Sequence, residues 1–345
     1  MADLTQEIHT YLTTAPSSNF RDREVAMLAH WAGTDNLLWR VGSGGQEAVV
    51  KYYLDAGQAR GRRQHDGQER YHAYGIAPKP LWFDRYPTGL SRQLLVYQWL
   101  PGEALATADD GQLAALAQAV ARVHGGDPAD VRRFSPNPLN LDYLWRVLHG
   151  GIPALIPWLQ RKNAVTIVAL LQQLVANGQT LVEAALPLWQ GVAPTPVHGD
   201  LKLENIVSSW GTVVLLDWEL FGLGDAAYDV ATFLQMNQTE LDEAQRERWL
   251  ENYLVTFEQS GLAQRIGVYG RLLPLQNLCY LLHGLRQSRA AEAATIQDHR
   301  LFLQATLLAA AKQAASALNV ETQVTESEFA ALFPVTSSHS AGAEL

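Results

Sequence analysis

The change of texture near residue 100 constrains this chain more than any other feature. Before it, short apolar runs of strand length alternate with glycine-rich breaks; after it, apolar residues recur at helical spacing. LLWRV and EAVVKYYL flank the glycine-rich GSGG at 42–45, the pattern of a β-hairpin whose turn uses glycines for positive φ. KPLWFD and RQLLVYQWL supply two further strands, and the charged ARGRRQHDGQERYHAYG ahead of them predicts an exposed helix ending at Gly75. A small antiparallel sheet with one helix is therefore expected over roughly residues 31–100. Leu4, Ile8, Tyr11 and Leu12 make the first 30 residues read as helical, with a break at APSSN before the apolar run VAMLAHW.

Beyond PGEAL, the run LAALAQAVARVHGG sets Leu113, Leu116, Ala117, Val120 and His124 on one helical face and stops at paired glycines. Further helices are expected near 153–161, 164–187, 240–260, 265–288 and 293–318, interrupted by a strand-rich segment at 195–218. Segregated strands and helices indicate an α+β fold. The expected domains are 1–100, 101–332 and a disordered tail over 333–345, whose FPVTSSHSAGAEL lacks an apolar period.

Length and charge bound the function classes. The 345 residues suffice for two domains with separate cores. A net charge of −9 repels nucleic acid and anionic membranes and favours a neutral or cationic small partner. The single cysteine, Cys279, permits no internal disulfide and no zinc-thiolate site. No basic segment with an apolar run opens the chain and no stretch approaches ~18 consecutive apolar residues, so the cytoplasm is the expected compartment and no membrane is expected as a partner.

Chemistry concentrates in TPVHGDLKLENIVSSWGTVVLLDWELFGLGDAAYDVA, residues 195–231. ENIVS and TVVLLDW form a hairpin about a turn at Ser209–Trp210–Gly211, which opposes Asn205 to about Leu215 and makes Asp217 its diagonal neighbour. Diagonal positions lie roughly 7–8 Å apart, close enough for an amide oxygen and a carboxylate to share one cation. Hard oxygen ligands of that kind suit Mg2+. Asp200, five residues before Asn205 in the entering loop, stands beside the metal and suits a base that accepts the proton of an attacking hydroxyl. Lys202 alternates to the same side and meets the transferring phosphoryl group.

These motifs carry a family resemblance. HGDLKLEN resembles the catalytic loop H-x-D-x-x-x-x-N of the kinase-like superfamily. LLDWE resembles the metal segment that is D-F-G in protein kinases and I-D-W-E in the aminoglycoside phosphotransferase and choline kinase family, and GDAAYDVA resembles that family's G-D-P-x-x-D-L-A, with Ala226 for proline. The resemblance implies a two-lobed, protein-kinase-like fold with a small antiparallel-sheet N-lobe and a mainly helical C-lobe. It implies ATP and Mg2+ as cofactors and transfer of the γ-phosphate to a small hydroxylated acceptor: an aminoglycoside, a choline-like amino alcohol, homoserine or a sugar. Asp200 is then the base, Asn205 and Asp217 the metal ligands, and His198 a brace for the loop, while Asp225 and Asp229 hold the loop and cap the next helix. Lys51, within AVVKYY, becomes the strand lysine that contacts the α- and β-phosphates, with Glu69 favoured over Asp66 as its acidic partner. Gly33, Thr34 and Asn36 of AGTDN stand at the nucleotide loop in preference to GSGG. VYQWLPGEAL resembles the M-E-x-x-P-G link, in which backbone groups from Gln98 to Leu100 bond the adenine. A protein kinase is the nearest rival, with Gly199 in place of the arginine of H-R-D and no A-P-E segment; a silent nucleotide-binding protein is the second. Glu240, Asp242, Glu243 and Glu251 could attract an amine or form a solvated helix face.

Overall fold

The computed structural model describes residues 2–33, 35–55, 59–105, 108–209, 212–287 and 297–333. Thr34, the turn residues Trp210 and Gly211, and the tail beyond Phe333 lie outside them. The chain divides into two compact units, Met1–Leu139 with Val192–Ala263 and Asn140–Gly191 with Gln264–Leu345.

The elements follow in order α1 (Ala2–Thr14), β1 (Ala26–Ala32), β2 (Asn36–Ser43), β3 (Gln46–Tyr53), α2 (Arg60–Tyr71), β4 (Pro80–Asp84), β5 (Leu94–Gln98), β6 (Glu103–Ala104) and α3 (Asp110–His124). Helices α4 (Leu141–Arg161) and α5 (Val165–Ala185) open the second unit. The chain returns to the first with β7 (Thr195–Val197), β8 (Ile206–Ser209), β9 (Thr212–Leu215), β10 (Gly222–Gly224), α6 (Ala226–Met236) and α7 (Glu243–Thr256). Helices α8 (Leu262–Gln287), α9 (Gln297–Ala317) and α10 (Glu326–Ala330) follow.

In the first unit the five-stranded antiparallel sheet runs β1-β2-β3-β5-β4. Ser43 opposes Gln46 across a two-residue turn in which Gly44 and Gly45 take φ of 57° and 81°, so GSGG closes a hairpin of the kind that needs positive φ. Strand periodicity then sorts the side chains. Trp39, Val41, Val50, Tyr52, Leu94 and Val96 turn to one face, where Ile8, Tyr11 and Leu12 of α1 complete the core. Two bonds fix that packing: Trp39 Nε1 donates to Thr5 Oγ1 at 3.1 Å and Trp82 Nε1 to Tyr11 Oη at 3.2 Å. Lys51 and Tyr53 fall on the opposite face, toward α2. That single alternation puts a lysine on the face turned to α2.

The second hairpin differs by one residue from its expected register. Ile206, not Asn205, opposes Leu215, because Ser209 and Thr212 still pair and only two residues make the turn. Asn205 instead ends a 3-10 turn, where its carbonyl accepts from Leu216 N at 2.7 Å.

In the second unit α4 begins at Leu141, twelve residues before the expected start. Asn140 caps it by accepting from Tyr143 N at 2.8 Å, and the helix runs through Pro153 and Pro157. Val165–Trp189 is long and apolar enough by composition to cross a membrane. Ile167, Leu170, Leu171 and Leu174 within it are buried, as are Leu144, Trp145 and Leu148 of α4. At Gly178 a Cβ would lie 2.6 Å from Trp145 Cη2, so Trp145 closes directly over the bare backbone. Gly178→Ala gains about 1 kcal/mol of helix propensity and meets an overpacking cost of about 1–3 kcal/mol. Net destabilisation in a urea titration is expected, whereas an exposed helical glycine would give net stabilisation.

Candidate active site

The loop after β7 is held open by buried polar groups. Asp229 of α6, 2% exposed, accepts from the backbone N–H of His198 at 3.1 Å and of Gly199 at 3.0 Å. Its second support is His124 of α3, whose Nε2 lies 3.1 Å from Asp229 Oδ2 while Nδ1 meets Tyr253 Oη at 2.7 Å. Asn137 Nδ2 donates to Gly199 O at 2.7 Å, and Leu203 N donates to Asn237 Oδ1 at 2.9 Å. Gly199 takes φ of 91°, and a Cβ there would lie 2.6 Å from Leu220 Cβ and 2.8 Å from Leu220 O. No L-residue fits that position. Asp225 caps α6 by accepting from Ala227 N at 3.0 Å.

His198 is fully enclosed and oriented at both ring nitrogens. Nε2 donates to Leu216 O at 2.8 Å, which leaves Nδ1 to accept from Asp200 N at 3.3 Å. Burial holds its pKa below the ordinary value, although Asp229 opposes that shift, so the ring is a neutral brace near pH 7.

Asp200, one-third exposed, is aimed by Asn205: Nδ2 donates to Asp200 Oδ2 at 2.8 Å and to its backbone oxygen at 3.2 Å. Lys202 Nζ lies 3.5 Å from the same carboxylate oxygen and 2.7 Å from Glu204 Oε1. Burial raises the Asp200 pKa above the ordinary carboxylate value against the pull of Lys202 and His198, with Asp217 adding to the rise.

Asp217 sits at φ 57°, ψ 60°, a left-handed conformation that costs a non-glycine residue about 1–3 kcal/mol and recurs at functional sites. It turns the carboxylate toward β3, where Lys51 Nζ meets Asp217 Oδ1 at 2.8 Å and Glu219 Oε1 at 2.5 Å. Gln64 of α2 completes the shell, accepting from Lys51 Nζ at 3.0 Å and from Tyr53 Oη at 2.9 Å. Burial works against the ammonium charge, yet Asp217 and Glu219 outweigh it and hold the Lys51 pKa above its ordinary value. Burial likewise works against the Asp217 carboxylate, and Lys51 more than offsets it, leaving its pKa depressed.

The expected partner of Lys51 is thereby corrected. Glu69 is exposed on α2 and Asp66 is engaged by Arg62 and Arg133; neither meets the lysine. The helix presents Gln64, and the negative charge comes from Glu219, two residues beyond Asp217. Glu219 was the residue the sequence reading missed. Its signal was present in LLDWE, since a carboxylate two positions from Asp217 in a tight turn can reach the same cation.

Asn36, expected at the nucleotide loop, reaches the same Glu219. Gly33 N donates to Asn36 O at 2.9 Å, closing the turn, and Asn36 Nδ2 donates to Glu219 Oε1 at 3.2 Å. Arg60 Nη1 bridges Asp35 at 2.7 Å and Glu219 at 3.4 Å. Along the linking segment, Gln98 N is used by Lys79 O and Trp99 N by Glu47 O. Leu100 is the first position there whose N–H has no hydrogen-bond partner among the described residues, and Pro101 carries no N–H.

No group of three or more His, Cys, Asp or Glu suited to a metal occurs among the described residues. The donor set that remains, the Asn205 side-chain oxygen and the Asp217 carboxylate, fits Mg2+, which takes few protein oxygens and fills its other positions with water and phosphate.

With this geometry in place, comparison with known proteins identifies the family. The profile of the phosphotransferase enzyme family matches residues 27–265, well over half of the chain. The chain belongs to that family. A search of curated proteins gives no match. Among solved structures the chain is similar to a choline/ethanolamine kinase family protein from Mesorhizobium loti, at 18% identity and TM-score 0.60 over 95% of this chain and 99% of that one. It is similar to an aminoglycoside phosphotransferase in ternary complex with AMP-PNP and hygromycin B, at 18% identity and TM-score 0.59 over 86% and 94% of the two chains. The choline kinase LicA of Streptococcus pneumoniae matches at 14% identity and TM-score 0.55 over 92% and 99%. At these identities the structures speak to the fold alone, and the fold of the family member described here is the α+β, kinase-like one.

Proposed function

We propose that this phosphotransferase is an ATP- and Mg2+-dependent small-molecule kinase that moves the γ-phosphate to a hydroxyl of its acceptor. The observation that carries the reading is the pairing of Asp200 with Asn205 in a loop fixed by Asp229, beside a lysine held by Asp217 and Glu219. Asn205 and Asp217 would hold the Mg2+, which when bound neutralises phosphate charge. Asp200 would accept the proton of the acceptor hydroxyl at its exposed carboxylate, and Asn205 keeps that carboxylate turned toward the acceptor. Lys51 would bind the α- and β-phosphates and Lys202 the transferring group, since charge neutralisation and positioning are most of what phosphoryl transfer asks of a protein. Gly33, Thr34 and Asn36 would cover the phosphates, and Leu100 N–H would meet the base.

The acceptor class is read from carboxylates near Lys202. Of the acids Glu240, Asp242, Glu243 and Glu251, Asp242 is consumed as the N-cap of α7 and Glu243 and Glu251 face solvent, whereas Glu240 lines a cavity of about 470 Å3 with Lys202, Glu204 and Met236. Negative charge there favours an amine-bearing acceptor, in keeping with the choline, ethanolamine and aminoglycoside enzymes of similar fold. A coupled ADP-release screen over aminoglycosides, choline, ethanolamine, homoserine and sugars tests the reading. Turnover is expected with at least one amine-bearing alcohol, and Glu240→Gln is expected to raise KM for it with little change in kcat. Mg2+- and ATP-dependent release with none of these compounds, but with a protein substrate, would overturn it. A second check concerns the metal: Asn205→Ala is expected to raise the Mg2+ concentration needed for half-maximal turnover at least tenfold.

A further inference from the structure

The charge on α2 is unevenly compensated on the face turned away from Lys51. Arg62, Arg63 and Arg70 of α2 and Arg132 and Arg133 of the segment after α3 border one cavity of about 460 Å3, with Asp66, Glu69 and Asp130 as the acids on its wall. Five guanidiniums against three carboxylates leave two positive charges in excess on a chain whose net charge is −9. The pairing is more lopsided than the count. Asp66 serves two arginines, with Arg62 Nε and Arg133 Nη1 each at 2.9 Å, while Arg70 takes Asp130 at 2.8 Å. Arg63 meets no carboxylate within ion-pair distance among the described residues and instead donates to two backbone oxygens, Phe134 O at 2.5 Å and Phe221 O at 3.1 Å. Burial, together with the neighbouring Arg133, holds its pKa below the ordinary value. Arg132 is exposed and has no partner among the described residues. A half-buried, partly desolvated guanidinium without a counter-ion is costly, and the group that relieves it is an anion.

We propose that this cavity is a binding site for a small phosphate monoester, with Arg62, Arg63 and Arg132 as its donors. The dianion matches the two unpaired charges, phosphate oxygens accept from planar guanidiniums two at a time, and the volume falls within the roughly 300–1,000 Å3 of small-ligand pockets. The site is distinct from the one that holds Lys51 and Asp200, and its failure would leave the kinase reading untouched. It is nonetheless mechanically connected: Arg63 precedes Gln64, the α2 residue bonded to Lys51, and its bond to Phe221 O ties α2 to the segment that follows Glu219.

Isothermal titration of the full chain with inorganic phosphate, at fixed ionic strength and with excess AMP-PNP and Mg2+ present, tests the proposal. One saturable site is expected, with a dissociation constant at or below about 1 mM, weakened at least about tenfold in Arg132→Glu and in Arg62→Gln. Arg132 makes no hydrogen bond or ion pair among the described residues, so Arg132→Glu should keep the parent's melting temperature in the absence of phosphate. Absence of saturation below about 10 mM, unchanged affinity in both variants, or displacement of phosphate by AMP-PNP would each overturn it.

Discussion

Asp200→Asn is expected to lower kcat by about 10²–10⁴-fold or more while AMP-PNP binding stays within a few-fold of the parent. The substitution keeps the size of the side chain and its capacity to accept from Asn205 Nδ2, so the loop held by Asp229 and Asn137 has no reason to move. What it removes is the oxygen that, on the proposed function, takes the hydroxyl proton. Near-parental turnover would sink the assignment of the base. The pH dependence carries independent information. Only the ionised carboxylate can accept a proton, so kcat/KM falls as pH drops through the Asp200 pKa. Burial places that limb above the range of a free aspartate, and Lys202 pulls it down. Lys202→Met is therefore expected to move the acid limb to higher pH, opposite to the shift that losing a nearby carboxylate would give.

The parts of this arrangement that were legible in the sequence are those set by neighbours in the chain. Two glycines in positive φ announce the β2–β3 turn, and β-strand alternation then puts Lys51 opposite Val50 and Tyr52 without further information. The spacing within HGDLKLEN sets Asn205 close enough after Asp200 to bond its carboxylate. The Lys51 partner was hidden for a physical reason. The buried stripe of α2 is Gly61, Gln64, Gly67, Gln68 and Tyr71, a helical period written in glycines and glutamines, which a hydropathy reading passes over. The glycines are there because Cβ atoms at Gly61 and Gly67 would strike Tyr53 and Phe83, and Trp218, at 2.9 Å or less. Read as a stripe, the same sequence puts Gln64 inward and Glu69 outward. The support from His124 to Asp229 spans 105 residues and two helices, and no local pattern encodes it. The one-residue slip at β8–β9 turned on whether the loop holds two residues or three.

Lys51→Met is expected to destabilise the fold as well as abolish nucleotide binding, and the two effects can be separated. The ammonium is 4% exposed and compensates Glu219, itself 8% exposed, and Asp217, about one-third exposed. Removing one partner of a buried pair while leaving the other charged costs about 3–5 kcal/mol; the exposure of Asp217 directs the expectation to the lower end. Urea unfolding at pH 7 measures it. Glu219 already has its pKa raised, by burial first, with Lys51 opposing that rise and Asp217 adding to it; loss of Lys51 raises it further. A carboxyl whose pKa is higher folded than unfolded binds more protons in the folded state, so stability increases as pH falls toward the unfolded value of about 4.3. The Lys51→Met variant should accordingly regain part of its deficit between about pH 7 and 5, and Glu219→Gln in the same background should restore much of it at pH 7 by removing the unpaired charge. A deficit at pH 7 that neither acidification nor Glu219→Gln reduces would mean that packing around the aliphatic stem, and not the two carboxylates, is what Lys51 supports.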